Sequence, residues 1–579
     1  MRIPEVRCVI LLLLAAGVVP MAGAQATVGK ITQGKAKLAG TSVLGGGSYP
    51  VYGTVTIPHL KPDYDLGAAR LASVSGQAAS NAGAIAASLA IPAPKPNSVN
   101  YRPANVGFTG LTTVDTANAT GYVTTPPDQG LCAGHGFVME MINSSLVVFN
   151  DAGARVSTPE AVDAFFLANP NTDFISDPRC YYDPPTQRWF ASVTNVLDSV
   201  SGRSNLSLAV SQTSDPRGAY FVYTIDTTDD GVNGTPANAG CTTASPCFGD
   251  QPTLGADRNG VYLTTNEFGV FSNVFNGAQI YAISKAALEA GTANSLVHFG
   301  NLPLAEGIAY SVQPASSPDL NEEEGSGTEY FLSALDFLGT LDNRIAVWAI
   351  TDTSSLNRPT PSVTLLQTIV SSEVYGQPPN APQKAGPYPL GQSLGEPEEM
   401  LSSGDDRMQN TVYASGHLWG GLNTVVSDGT NVNAGIAYFD VRPSVSRRGL
   451  SATVQGQSYV SLAGNSVIYP GIGVTADGTA AAAFTVSGAS YYPSAAYAHL
   501  TPSHATSVDI VALGTAPQDD FSGYPEFGGD PGVARWGDYA WGVADGGSLW
   551  LATEYIPGGI DPVSYYTDFG TYVYKINLD

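Results

Sequence analysis

Charge is scarce in this chain, and positive charge is scarcer still. Asp, Glu, Lys and Arg make up 13% of its 579 residues, and 25 basic side chains stand against 50 acidic ones, a formal charge of −25. A surface with that balance repels phosphate backbones, so nucleic acid is not an expected partner, and anionic membranes are disfavoured by the same field. Long apolar runs are also missing. The run Val9 to Val19 is too short to cross a bilayer, and no later segment approaches it, so no membrane span is expected. The five cysteines include no Cys-x-x-Cys pair, which argues against zinc. His-Glu-x-x-His and phosphate-loop patterns are absent, which sets aside zincin-type hydrolysis and P-loop nucleotide chemistry.

The one apolar run reads as the core of a secretion signal. Arg2 and Arg7 supply the positive start and Ala22-Gly23-Ala24 the small-residue cleavage site. The signal is expected over 1–24, with cleavage after Ala24 and a secreted product, extracellular or periplasmic. Cys8 leaves with it. Cys132, Cys180, Cys241 and Cys247 remain, an even number that favours disulfides in an exported chain. Cys241 and Cys247 flank a short turn-forming stretch and are expected to bond to each other. Cys132 and Cys180 fall on the first strands of adjacent repeats and are expected to lie near one another.

What the chain does have is glycine (64), proline (40) and a phrase that recurs with variations. Its clearest copies are FGDQPTLGADRNGVYLTTNEF from Phe248 and ARWGDYAWGVADGGSLWLATEY from Ala534. In each, a polar residue beside an aromatic or proline leads a small or apolar run, an aspartate-opened turn and a second run. Weaker copies begin at Ile175, Asp406 and Val467, and the most degraded at Pro126 and Ser311. Seven repeated strand pairs with long, variable spacers predict an all-β fold, a seven-bladed β-propeller with an irregular N-terminal arm. The arm is expected over 25–105, low in complexity and rich in Ala, Gly, Ser and Pro, and the propeller over 106–579. The last repeat has three strands of its own, so Val106 to Val123 is expected to supply its fourth and remove an open edge. Trp189, Trp419 and Trp550 are expected in the cores between blades.

PPDQGLCAGHGFVMEMINSSLVVFND, DPRCYYDPPTQRWFASVT and RMQNTVYASGHLWG resemble blades of a largely uncharacterised family of exported bacterial propellers. That resemblance implies fold and export and carries no activity. More loosely, the repeats are similar to sialidase-type propellers. The Asp-box pattern of that group, Ser-x-Asp-x-Gly-x-Thr-Trp, survives only as fragments at Ala476-Asp477-Gly478-Thr479 and Ala544-Asp545-Gly546-Gly547.

Equivalent strand starts share one mouth of a propeller channel, so ligand-binding candidates are sought there. They are Arg179, Arg407, Arg535, Asp177, Asp250, Asp538 and Tyr469. Three arginines could clamp a carboxylate or sulfate through paired N–H groups. They could equally bridge neighbouring blades through Asp–Arg pairs, because buried polar groups need partners. The sialidase likeness adds a catalytic version, with Tyr469 or Tyr539 as nucleophile and Asp177, Asp250 or Asp538 as acid. Glu396, Glu398, Glu399, Asp405 and Asp406 form an acidic run that could hold calcium, a cation that takes several oxygen ligands, and Glu322 to Glu324 form another. No other cofactor is expected. The reading is a monomeric binding or scaffolding module for an acidic glycan, a peptide or a surface protein. The alternative is a glycan-active hydrolase or lyase working at the channel mouth, and the residues do not decide whether the chain is an enzyme.

Overall fold

The computed structural model describes residues 28, 30–44, 58–60, 76–169, 173–198, 202–232, 235–272, 274–292, 294–318, 327–558 and 568–577. The signal segment and the acidic run Glu322 to Glu324 lie outside the described residues. The fold is a β-propeller. Among the described residues, the main strands fall into seven four-stranded antiparallel units. Their first strands are Gly130–Gly134, Phe174–Asp183, Cys247–Ala256, Gln313–Ser316, Met408–Ala414, Asn465–Val474 and Trp541–Asp545. These touch in that order, and the seventh touches the first, so they enclose a central channel.

The strands are buried on both faces because each unit is sandwiched between two others. Ala480–Gly488, the second strand of unit 6, reads AAAAFTVSG and is buried throughout. Runs of small residues suit that position, since facing sheets converge toward the axis. At Gly471 and Gly542 a β-carbon would collide with the backbone of the adjacent unit, so only glycine fits there. Farther out the gaps are filled by aromatics. Trp189 shares a core with Met139 and Val148 of unit 1, Trp419 with Phe484 of unit 6, and Trp550 with Phe149 of unit 1.

The segment before the first unit is stitched into the propeller at three places. Val106–Thr112 pairs antiparallel with Gly570–Asn577 and becomes the fourth strand of unit 7, so the ring closes between a strand that precedes the first unit and the last described strand. Val99–Tyr101 adds a parallel strand to the edge of unit 6. Lys30–Val43 enters between two units: one part pairs with Ala219–Asp226 of unit 2 and the other with Asn294–Gly300 of unit 3. That insertion makes one nine-stranded sheet from two units. The alanine-rich helix Gly76–Ala87 buries Ala82 in the core that contains Leu335 and Phe337.

Two disulfides pair Cys132 with Cys180 and Cys241 with Cys247, at Cα separations of 5.3 and 5.5 Å. The first ties unit 1 to unit 2 beside the channel, and the second closes a local loop. The turn aspartates work on the backbone: Asp257 accepts from the amides of Asn259 and Gly260, at 2.7 and 2.6 Å. At the closure joint, fully buried Glu140 of unit 1 accepts from the amide of Leu111 on the closing strand, at 2.9 Å.

Candidate functional site

The starts of the first strands share an unusual backbone. Asp128, Asp177, Gln251, Ser311 and Tyr469 have φ of 46°, 58°, 50°, 42° and 56°. A non-glycine residue in that region costs about 1–3 kcal/mol and persists only when its surroundings hold it. At Asp177, Ser311 and Tyr469 the holding group is an asparagine from the preceding unit. Asn143 Oδ1 accepts from the Asp177 amide at 2.8 Å, Asn266 Oδ1 from the Ser311 amide at 2.7 Å, and Asn423 Oδ1 from the Tyr469 amide at 2.6 Å. Strand pairing slips just after Ser176, Asp250 and Ile468, so the left-handed residue and its proline form a bulge at 177–178, 251–252 and 469–470. The bulges bring polar side chains of several units together at one mouth.

Most of those side chains engage one another. Arg407 grips Asp405 with Nε and Nη2 at 2.6 and 2.9 Å and donates from Nη1 to Gln251, which joins unit 5 to unit 3. Arg535 lies 3.6 Å from Asp538. The Asp538 amide donates to Asp128 Oδ1 at 2.7 Å, and Asn143 donates to Asp128 Oδ2 at 2.7 Å. The Tyr539 hydroxyl donates to Asp177 at 3.4 Å. Carboxylate oxygens of Asp128, Asp177 and Asp538 lie within 4.8 Å of one another, from three different units. Tyr469 is buried, and burial first, then the charge of Asp538, holds its phenol well above the ordinary range. Asp250 pairs across the ladder with Asn266.

Arg179 is the exception among the arginines. It is 2% exposed, and its Nε donates to the carbonyl of Pro252 at 2.7 Å. The guanidinium lies flat on the Tyr539 ring, 3.4 Å from its centroid, with Trp541 at 5.4 Å. Neither Nη finds an acceptor, and no carboxylate pairs with it among the described residues. Arg179 forms part of the wall of a channel cavity of about 880 Å³, counting its solvent-open part. Gln313, Gln409, Thr411 and Trp541 also line it. Gln409 Oε1 and Thr411 Oγ1 are further buried groups without a partner.

The acidic run Glu396 to Asp406 is not brought together as one site. Asp405 serves Arg407, Asp406 accepts from Tyr310 at 3.4 Å, and Glu399 turns inward to meet Asp519 and Asp520. The expectation that the chain has no Gly-x-Ser-x-Gly elbow needs correcting on sequence, because Gly391-Gln392-Ser393-Leu394-Gly395 has that spacing. An elbow places its serine on a strand-to-helix turn. Here Ser393 lies within the short helix Pro389–Leu394 and donates to the Leu390 carbonyl at 2.7 Å. The asparagine device was also missed, although Asn143 and Asn266 each follow their left-handed residue by 15 positions.

No protein-family model and no curated protein matches the chain. Solved structures do align with it. A sialidase, Hadza microbial sialidase Hz136, matches at 9% identity over 78% of this chain and 75% of its own, with a TM-score of 0.32. The α-L-arabinofuranosidase PaAbf62A from Podospora anserina matches at 9% identity over 84% and 98%, TM-score 0.28. The GH43 β-1,3-galactosidase BT3683 matches at 10% identity over 60% and 97%, TM-score 0.27. Similarity at this level says nothing of what this chain binds or does.

Proposed function

We propose that this is an exported, seven-bladed propeller that binds a small acidic ligand, such as the acidic terminus of a glycan, in its channel. The observation that carries the reading is Arg179. A buried guanidinium without a carboxylate partner is costly, and a ligand carboxylate or sulfate would supply the missing charge. The surrounding wall suits a sugar-sized guest, since it offers aromatic faces and amide and hydroxyl groups that still need partners. Two disulfides support the export reading, since such bonds persist outside the cytosol.

Binding is favoured over hydrolysis by the state of the other candidates. Arg407 and Arg535 already face aspartates of their own segments, and Arg407 also reaches Gln251 of unit 3. Burial, then the charge of Asp538, raises the Tyr469 phenol well above its ordinary range, which works against a nucleophilic role. The test is a titration of the whole protein with acidic and neutral forms of the same oligosaccharides. Acidic forms should bind, and Arg179→Ala should weaken them roughly ten- to a hundredfold, the worth of one charge-assisted contact at about 1.5–3 kcal/mol. Gln409→Ala should weaken them less. Equal binding of neutral forms, or indifference to Arg179→Ala, overturns the reading.

A further inference from the structure

On its outer surface the chain gathers positive charge in one place. The third and fourth strands of unit 5, Val432–Ser446 and Gly449–Val460, form a long hairpin. The second strand of that unit, His417–Ser427, pairs with the third only as far as Val441. Beyond that point the hairpin runs on for five more residue pairs, from Arg442–Thr453 to Ser446–Gly449. Leu450 anchors its inner face in the core that holds Tyr375 of unit 4, and Val445, Ala452 and Val454 pack against the same core. The outer face is exposed, with Arg442, Ser444 and Ser446 on one strand and Ser451 and Thr453 on the other. Side chains alternate along a strand, and Arg442 stands opposite Thr453 as Ser444 stands opposite Ser451, so these residues share one face.

Arg447 and Arg448, both exposed, continue that surface around the turn. Elsewhere arginines are engaged with acids: Arg155 with Asp115, Arg203 with Asp226 and Arg344 with Glu306. None of the three hairpin arginines makes a side-chain hydrogen bond or an ion pair among the described residues. The chain holds twice as many acidic as basic residues, yet no acid falls anywhere from 441 to 476. Glu373 of unit 4, whose amide donates to Gln457 Oε1 at 2.8 Å, meets the fourth strand toward its other end. Exposed charges more than about 8 Å apart are largely screened at physiological salt. An anion on this face therefore meets the arginines and not the net charge of the whole molecule.

We propose that the outer face of this hairpin, with Arg442, Arg447 and Arg448, is a docking track for a linear anionic polysaccharide bearing carboxylates or sulfates. Guanidinium groups suit such anions, because they present paired N–H donors to two oxygens at once. From Arg442 to the turn the track runs roughly 13 Å at the rise of a β-strand, the span of a short run of sugar residues. Between the arginines lie the hydroxyls of Ser444, Ser451 and Thr453, small side chains that leave the path flat and can bond to sugar hydroxyls. The width of the track favours a single chain. A stable folded partner needs roughly 800 Å² on each side, and an exposed ribbon two strands wide and five pairs long offers far less. A polysaccharide strand also touches the hairpin alone, whereas an anionic membrane would face the acidic surface around it. The track is separate from the channel and does not depend on what the channel binds.

The assignment is tested on the whole protein with immobilised polygalacturonate and chondroitin sulfate, with neutral dextran as the control. At least one of the charged polymers should retain the protein and dextran should not, and retention should weaken roughly tenfold between about 50 and 200 mM salt, as charge neutralisation requires. Replacing all three arginines with alanine should weaken binding at least tenfold and leave the melting temperature unchanged, since the side chains are exposed. Replacing all three with lysine should restore part of the binding, because the charge returns without the paired donors. Arg179→Ala should leave polymer binding as it is, which separates this surface from the channel. Failure of both charged polymers to bind refutes the assignment. So does equal binding by the triple alanine variant, which would place the contact elsewhere. Vesicles of phosphatidylglycerol that bind as tightly as the polymers would refute it as well, by making the face a membrane contact.

Discussion

Replacing Glu140 with glutamine should make the protein more stable at pH 8 and no more stable at pH 4. Glu140 is fully buried between unit 1 and the closing strand, where it takes the Leu111 amide. Burial raises its pKa from 4.5 to about 7, against the opposing effects of Thr571, Leu111 and Arg155. The sign follows from which state holds the proton. Below pH 4.5 both folded and unfolded chains carry it, and the full stability of the neutral form is present. Between about pH 4.5 and 7 the unfolded chain releases the proton while the folded chain keeps it, so stability falls as pH rises. Above that window the loss is complete. A pKa difference of this size corresponds to about 3 kcal/mol, at roughly 1.4 kcal/mol for each tenfold change in proton affinity. Glutamine keeps an acceptor for the Leu111 amide and cannot ionise. Urea unfolding midpoints of wild type and Glu140→Gln, read at pH 4, 6 and 8, give the difference directly. Other buried acids change both proteins equally and cancel. If the two midpoints run parallel across the range, Glu140 is not the titrating group and the reasoning about its burial is wrong.

Three further outcomes follow from the packing and the cross-links. Trp550→Ala should cost about 3–5 kcal/mol, because it empties a fully buried site between units 7 and 1, and chemical denaturation measures it. Removing Cys132–Cys180, which joins residues 48 apart, should cost about 4 kcal/mol by loop entropy. Removing Cys241–Cys247, which spans 6, should cost about 2 kcal/mol, and equal losses in paired alanine variants would contradict the entropic account. Deleting residues 30–44 should expose the outer edges of units 2 and 3 and lower the melting temperature, and an unchanged scan would mean the inserted strand adds nothing.

The units were legible because each repeats the same local grammar. A polar start, an apolar run, an aspartate turn and a second run can be read in a window of some twenty residues, and Asp257 with its two backbone bonds shows why the turn residue recurs. The closing strand could be anticipated from counting, since the final repeat lacked one. The insertion of Lys30–Val43 could not. Its pattern of Gly, Ala, Thr and Lys carries little alternation, and its partners lie in two separate units. Arg179, Arg407 and Arg535 do not occupy matching positions, since Arg179 follows its strand's bulge, Arg407 precedes the slip at Met408 and Arg535 lies ahead of the strand Trp541–Asp545, and local sequence did not reveal that an aspartate faces two of them and an aromatic ring the third.

Ring closure also sets a clock. Leu111 and Thr571, which bond across the joint, are 460 residues apart in the chain. At about 5–20 residues per second, a ribosome needs roughly 25–90 s to travel from one to the other. Through that interval the Val106–Thr112 segment exists without its partner, and every newly made unit carries a raw edge. A chain with this architecture therefore gains from being held extended until its last strand is available. Its weakest moment comes before the ring exists, and factors that shield nascent chains should govern its yield more than any single contact in the finished molecule.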